Sequence, residues 1–97
     1  MKLVIIPFAL GELQDAAAFY SATANVELGL AFVAEFDRTA SRILVNPHVG
    51  AVFRGTRRRY VLRRFPYSIF YQVAPDEIRV VAVAHQRRRP SYWAGRK

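Results

Sequence analysis

The sequence predicts an α+β fold of order β-α-α-β-β-β, a helix hairpin packed on one face of a small, mostly antiparallel sheet. Three observations predict it. One short apolar run precedes two long stretches of helical apolar spacing, a proline closes the second stretch, and the chain beyond residue 60 reads as strands separated by turns. Ninety-seven residues leave room for one hydrophobic core, so residues 1–97 are expected to form a single domain.

The first element, 3–6, is apolar and rich in β-branched residues and is stopped by Pro7, which reads as a strand buried on both faces. From Phe8 the period changes. Leu13, Ala16, Ala17, Tyr20 and Ala24 recur at helical spacing while Glu12, Gln14 and Asp15 fall elsewhere, an amphipathic helix reaching about Thr23. Asn25 is suited to cap a second helix, with Glu27 favoured in its first turn. Val33, Phe36, Ala40, Ile43 and Leu44 form its inward stripe, with Glu35, Asp37, Arg38 and Arg42 off it. Asn46-Pro47 ends the helix, because a residue before proline avoids the helical region.

The second half reads as β. Residues 60–65 alternate polar with apolar, Pro66 breaks the run, and 67–73 is aromatic and β-branched. Ala74-Pro75-Asp76-Glu77 has turn chemistry, and 78–85 forms the last strand, its 80–84 stretch apolar enough for the sheet interior. One sheet face is then free to carry arginines.

Composition narrows the function. Hydrophobic residues at 53% exclude disorder, and the absence of cysteine excludes disulfides, thiolate nucleophiles and cysteine zinc sites. That absence suits a reducing cytoplasm, the expected location. The uncharged run 3–11 is too short to span a membrane, and Glu12 with Asp15 spoils a signal-peptide reading. Charge is lopsided: residues 1–48 hold three basic and five acidic groups, residues 49–97 twelve basic and two acidic. Thirteen of the fifteen cations are arginine, whose planar fork fits phosphate and carboxylate, so an anionic partner is expected at the C-terminal half.

Six arginines fall within eleven residues (Arg54, Arg57, Arg58, Arg59, Arg63, Arg64), and Arg87-Arg88-Arg89 follows the last strand near Tyr92 and Trp93. Basic groups interleaved with rings suit nucleic acid or an acidic protein segment. Alternation along a regular strand puts Arg57, Arg59 and Arg63 on one side and Arg58 and Arg64 on the other. His48 reads as an exposed loop residue, whereas His85, ending an apolar strand, is the one candidate acid. Asp76 and Glu77 are expected exposed in their turn. Two histidines without cysteine or an acidic cluster leave no metal site, and no cofactor is expected. Tyr92 and Trp93 either fold back as an anchor or stack on a partner.

Several segments, taken together and in order, resemble the RelE/ParE toxin superfamily of bacterial type II toxin–antitoxin systems. They are Glu12-Leu13 with Ala16-Ala17-Ala18-Phe19-Tyr20, the second helix from Phe32-Val33 to Ile43 and Asn46-Pro47, Arg63-Arg64-Phe65-Pro66-Tyr67-Ser68-Ile69-Phe70-Tyr71, and Val81-Ala82-Val83-Ala84-His85-Gln86-Arg87-Arg88. The resemblance covers nearly the whole chain and implies the same β-α-α-β-β-β fold. It also implies a cognate antitoxin, acidic and ParD-like, which wraps the toxin and alone contacts operator DNA.

Two activities occur in that superfamily. ParE-like members block DNA gyrase without chemistry of their own, and RelE-like members cleave ribosome-bound mRNA by metal-independent attack of the ribose 2′-hydroxyl. The second route needs a base, a phosphate clamp and usually an acid. Lysines, which serve one ribonuclease branch, occur here only as Lys2 and Lys97, and no glutamate stands in an evident catalytic position. His85, Arg64 and Tyr92 are the residues a ribonuclease would use, while an arginine base is chemically awkward. The missing base favours gyrase inhibition over mRNA cleavage. Under either activity, Arg57, Arg59, Arg63, Arg64, Arg87, Arg88, Tyr92 and Trp93 are the expected target- or antitoxin-binding residues.

Overall fold

The computed structural model describes residues 1–96, so Lys97 lies outside it. The elements are β1 (Lys2–Ile5), α1 (Pro7–Thr23), α2 (Val26–Val45), β2 (Ala51–Arg54), β3 (Arg57–Val61), β4 (Tyr67–Val73) and β5 (Glu77–His85), followed by a single 3₁₀ turn, Pro90–Trp93. The sheet order is β1-β5-β4-β3-β2, with β1 parallel to β5 and the other pairs antiparallel. The α+β arrangement is the one expected, with one strand more.

That extra strand is β2. It is four residues long, and its apolar run, Ala51-Val52-Phe53, is cut short by Arg54, too brief to mark a strand by pattern alone. Gly55, at φ +54°, makes the tight β2–β3 turn possible, since the left-handed region suits glycine. Hairpin pairing draws β3 back to start at Arg57, and β3 ends at Val61 rather than at residue 65. Leu62 N–H then donates to the Tyr67 carbonyl at 2.9 Å, closing the loop that carries Arg63 and Arg64. At the other margin β1 is an edge strand, only half buried, because parallel pairing with β5 leaves its outer side open.

Proline at the first position starts α1. The helix buries Ala9, Leu13 and Ala16 but also exposes Phe8, Leu10 and Phe19, so it is less amphipathic than its spacing suggested. Asn25 caps α2 as expected, its side chain accepting from Leu28 N–H at 2.8 Å. The buried face of α2 is Phe32, Glu35, Phe36, Thr39 and Ile43, rotated from the expected stripe so that Leu44 is exposed and Glu35 turns inward. Gly29 sits at the helix crossing: a β-carbon there would stand 2.7 Å from the Ala17 carbonyl oxygen and 2.0 Å from Ser21 Oγ.

The hairpin packs on β4 and β5 over Ile69, Tyr71, Ile78, Val80 and Val83. Tyr20, Phe32, Phe65 and Tyr67 cluster edge-to-face, three of their ring pairs with centroids 5.0 Å apart. Opposite β4, Val81 is the extra residue of a bulge, since Phe70 pairs Ala82 and Tyr71 pairs Val80. Register therefore sets Arg57, Arg59 and Val61 beside Gln72, Phe70 and Ser68 on the face away from the helices.

Candidate functional site

Three basic regions surround this frame. The first is the sheet face away from the helices, and it is not bare. The C-terminal turn crosses it and seats Trp93 on Phe70, centroids 4.5 Å apart, with Phe53 at 5.9 Å. Trp93 is 2% exposed, so it belongs to the core and offers no free ring to a partner. Arg57 lies over the Trp93 ring at 5.4 Å, reaches Gln72 Oε1 at 3.4 Å and donates to the Arg96 carbonyl. Arg59 lies over Phe53 at 5.6 Å. Beside this layer runs a cleft of about 330 Å³ lined by Arg59, Ser68, His85, Gln86 and Arg88, with no carboxylate on its walls. His85 accepts from Arg87 N–H at Nδ1 (3.1 Å) and sets its ring edge-on to Tyr67 at 5.2 Å.

The second region anchors the C-terminal segment. Strand β1 covers the edge of β5 only as far as Val80, leaving backbone groups beyond it without a strand partner. Glu12 of α1 accepts from Val83 N–H at 3.1 Å, and Arg96 donates to the Val81 carbonyl at 3.1 Å. Arg96 also pairs with Glu12 at 2.7 Å, and the Tyr92 hydroxyl donates to the other Glu12 oxygen. Burial pushes the Tyr92 phenol well above its ordinary range, helped by the hydrogen bond to Glu12 and its negative charge and opposed by Arg88 and Arg96. Tyr92 thus holds its proton and acts as a strut, with Arg88 stacked 3.9 Å above its ring. Glu12, Asp15, His85, Arg88 and Tyr92 share a smaller pocket of about 210 Å³.

The third region lies where α2 meets the β3–β4 loop. One Glu35 oxygen accepts from the backbone N–H groups of Arg63 and Arg64, at 2.9 and 3.1 Å. Arg42 donates to the Tyr60 hydroxyl at 2.7 Å, and Arg64 lies over Phe65 at 5.6 Å. Arg38, Arg42, Arg63 and Arg64 rim a cleft of about 370 Å³. Arg58, on the helix side as alternation required, instead donates to the Gly50 carbonyl at 2.8 Å. There Tyr71 pins the α2–β2 connection, its hydroxyl accepting from Gly50 N–H (2.9 Å) and donating to the Pro47 carbonyl (2.7 Å).

The sequence and the fold find a counterpart among known proteins. The sequence pattern of the ParE toxin of the type II toxin–antitoxin system parDE matches residues 4–90. The chain belongs to the ParE toxin family. A solved structure of the chromosomal ParDE TA system from P. aeruginosa resembles this ParE-family fold with a TM-score of 0.77 at 20% identity, covering 88% of this chain and 95% of that one. At that identity the likeness is one of fold. No curated protein matches the sequence.

Within this ParE-family chain the expected site residues separate. Arg57 and Arg59 share the far sheet face, and Arg63 and Arg64 lie on the opposite shoulder. Arg87 and Arg88 stand exposed after β5. His85 and Tyr92 line one pocket, while Arg64 lines another. Glu77, expected to be exposed, opens β5 and pairs with Arg79 at 2.8 Å. Among the described residues the two ion pairs are Arg79–Glu77 and Arg96–Glu12, and no group of His, Asp and Glu gathers to hold a metal ion. None of their helices is long and apolar enough to cross a membrane.

Glu12 and Glu35 are the two structural carboxylates that sequence reading passed over. Glu35 lies three residues after Phe32 and four before Thr39, on the buried face itself, which is the signal that was present. Nothing local marks Glu12, whose partners are 71 to 84 residues away.

Proposed function

We infer that this chain is the toxin of a type II toxin–antitoxin pair, that it inhibits DNA gyrase by binding rather than by chemistry, and that a cognate acidic antitoxin neutralises it. One observation carries the non-catalytic part. The arginine-lined cleft on the sheet face has no carboxylate, while Glu12 and Glu35 are each engaged by backbone N–H donors. A 2′-hydroxyl attack there would have no carboxylate base, and the His85 imidazole on its wall already accepts from Arg87 N–H at Nδ1. Neutralisation is supported by the charge of the C-terminal half and by exposed apolar side chains on the helix hairpin. Phe8 is 70%, Phe19 56% and Leu30 64% exposed, which suits an amphipathic acidic segment that folds on binding.

Mg²⁺- and ATP-dependent supercoiling of relaxed plasmid by purified gyrase tests this reading, with toxin added alone and with antitoxin. Inhibition or trapped cleaved DNA, reversed by antitoxin, is the expected result. Full gyrase activity at large toxin excess would refute it. Ribosome-dependent mRNA cleavage keeps one observation in its favour, the shared pocket of Asp15, His85, Arg88 and Tyr92. Cleavage abolished by His85→Ala would establish it instead.

A further inference from the structure

The cleft between α2 and the β3–β4 loop gathers four exposed arginines on one pocket, more than line either cleft beside the C-terminal turn. On the sheet face, Arg57 is committed to Trp93, Gln72 and the Arg96 carbonyl, and Arg59 lies on Phe53. In the cleft Arg38, Arg42, Arg63 and Arg64 are all exposed, none has a carboxylate partner among the described residues, and Arg64 lies over Phe65 at 5.6 Å. Arg38 and Arg42 are one helical turn apart and so project from one face of α2. Their backbones and partners are preset. The Tyr60 hydroxyl takes one Arg42 N–H, and Glu35 fixes the loop so that Arg63 and Arg64 face α2 across the cleft. Four guanidinium groups around one buried carboxylate leave a local charge near +3.

We propose that this cleft is a phosphate-binding site that takes the backbone of duplex DNA. Arginine forks serve phosphate and carboxylate alike, so the walls decide between a polynucleotide and an acidic peptide. Peptide segments are usually anchored by apolar side chains in apolar pockets. Here the remaining walls are Thr39 and the hydroxyl-bearing Tyr60, with no aliphatic side chain, whereas the exposed apolar residues Phe8, Phe19 and Leu30 lie outside the cleft. Recognition by charge alone, without an apolar anchor, is what a phosphodiester backbone requires. The choice of duplex DNA rests on the gyrase reading, because gyrase acts on duplex DNA.

Fluorescence anisotropy of a labelled duplex, titrated with the full chain across a salt series and without gyrase, tests the proposal. Four phosphate contacts predict a slope of log K against log salt of about −3.6, and the double variant R38A/R42A should flatten it by about 1.8. A control with the same charge change elsewhere, R54A/R89A, should flatten it by less than half as much. R38K/R42K, which preserves charge, should retain most of the affinity and shows that the fold tolerates change at these positions. Equal losses in both alanine variants would mean general cationic attraction and would overturn the site. So would tighter binding of single-stranded RNA, or of an Asp/Glu-rich peptide, with the same arginine dependence. Running the supercoiling assay on the same proteins separates the two readings. DNA binding through the cleft without gyrase inhibition keeps the site and removes the gyrase reading. Gyrase inhibition by a chain that binds no DNA does the reverse.

Discussion

Replacing Glu35 by alanine removes the acceptor for two adjacent backbone donors, the N–H groups of Arg63 and Arg64 at 2.9 and 3.1 Å. Hydrogen bonds to a charged group contribute about 1.5–3 kcal/mol each. Glu35 is itself 6% exposed, but the two donors belong to a loop of exposed arginines, where water can replace the lost acceptor. That rehydration reduces the sum, and the expected loss is about 2–3 kcal/mol. In a domain of this size each kcal/mol moves the midpoint by about 4–8 °C, so Glu35→Ala should melt roughly 10–20 °C lower. Glu35→Gln keeps an oxygen acceptor without the charge and should fall about half as far. Thermal unfolding followed by circular dichroism reads the stability, and amide hydrogen exchange at Arg63 and Arg64 reads the loop. A Glu35→Ala midpoint within about 2 °C of the parent, with both amides still protected, would refute the role assigned to this carboxylate.

Other consequences are equally direct. Gly29→Ala gains about 1 kcal/mol of helix propensity, yet a β-carbon 2.7 Å from the Ala17 carbonyl must push the helices apart. A lower urea midpoint is expected, and a higher one would contradict the close crossing. Trp93→Ala should cost about 3–5 kcal/mol by opening a cavity against Phe70 and Phe53, and the parent's single tryptophan should emit at short wavelength. For Tyr92 the phenol pKa is raised in the folded chain above its ordinary value of 10, so the folded state keeps a proton that the unfolded state releases. Its contribution is complete below pH 10 and is lost as the pH climbs beyond that value. Tyr92→Phe should show a shallower fall in stability over that alkaline range, and an unchanged slope would rule out the coupling to Glu12.

Elements governed by local chemistry were legible from the residues. Asn25 marks the start of α2, Pro47 lies just past its end, and the 67–73 and 78–85 strands stand where aromatic and β-branched residues concentrate. Strand β2 was not, because four residues ending in arginine become a strand only through pairing with β3. The arginines were visible as a cluster, but their division among a ring-stacked sheet face, a carbonyl-bound Arg58 and an open cleft beside α2 was hidden. Alternation along β3 predicted the sides of Arg57, Arg58 and Arg59. Carried on to Arg63 and Arg64 it failed, because β3 ends at Val61 and both residues lie in the loop beyond it, lining one cleft rather than opposite faces.

By itself the sequence determined the helix hairpin, the strongly cationic C-terminal half and the scarcity of carboxylates there, because periodicity, capping and charge count are properties of neighbouring residues. Tertiary structure decided where the two engaged glutamates would serve. Glu12 completes the open edge of β5 and ties down Tyr92 and Arg96, and Glu35 holds the loop that presents Arg63 and Arg64. Both roles depend on backbone groups left without partners where a strand stops. Which groups those are is settled only when β1, β3, β5 and the two helices have packed together.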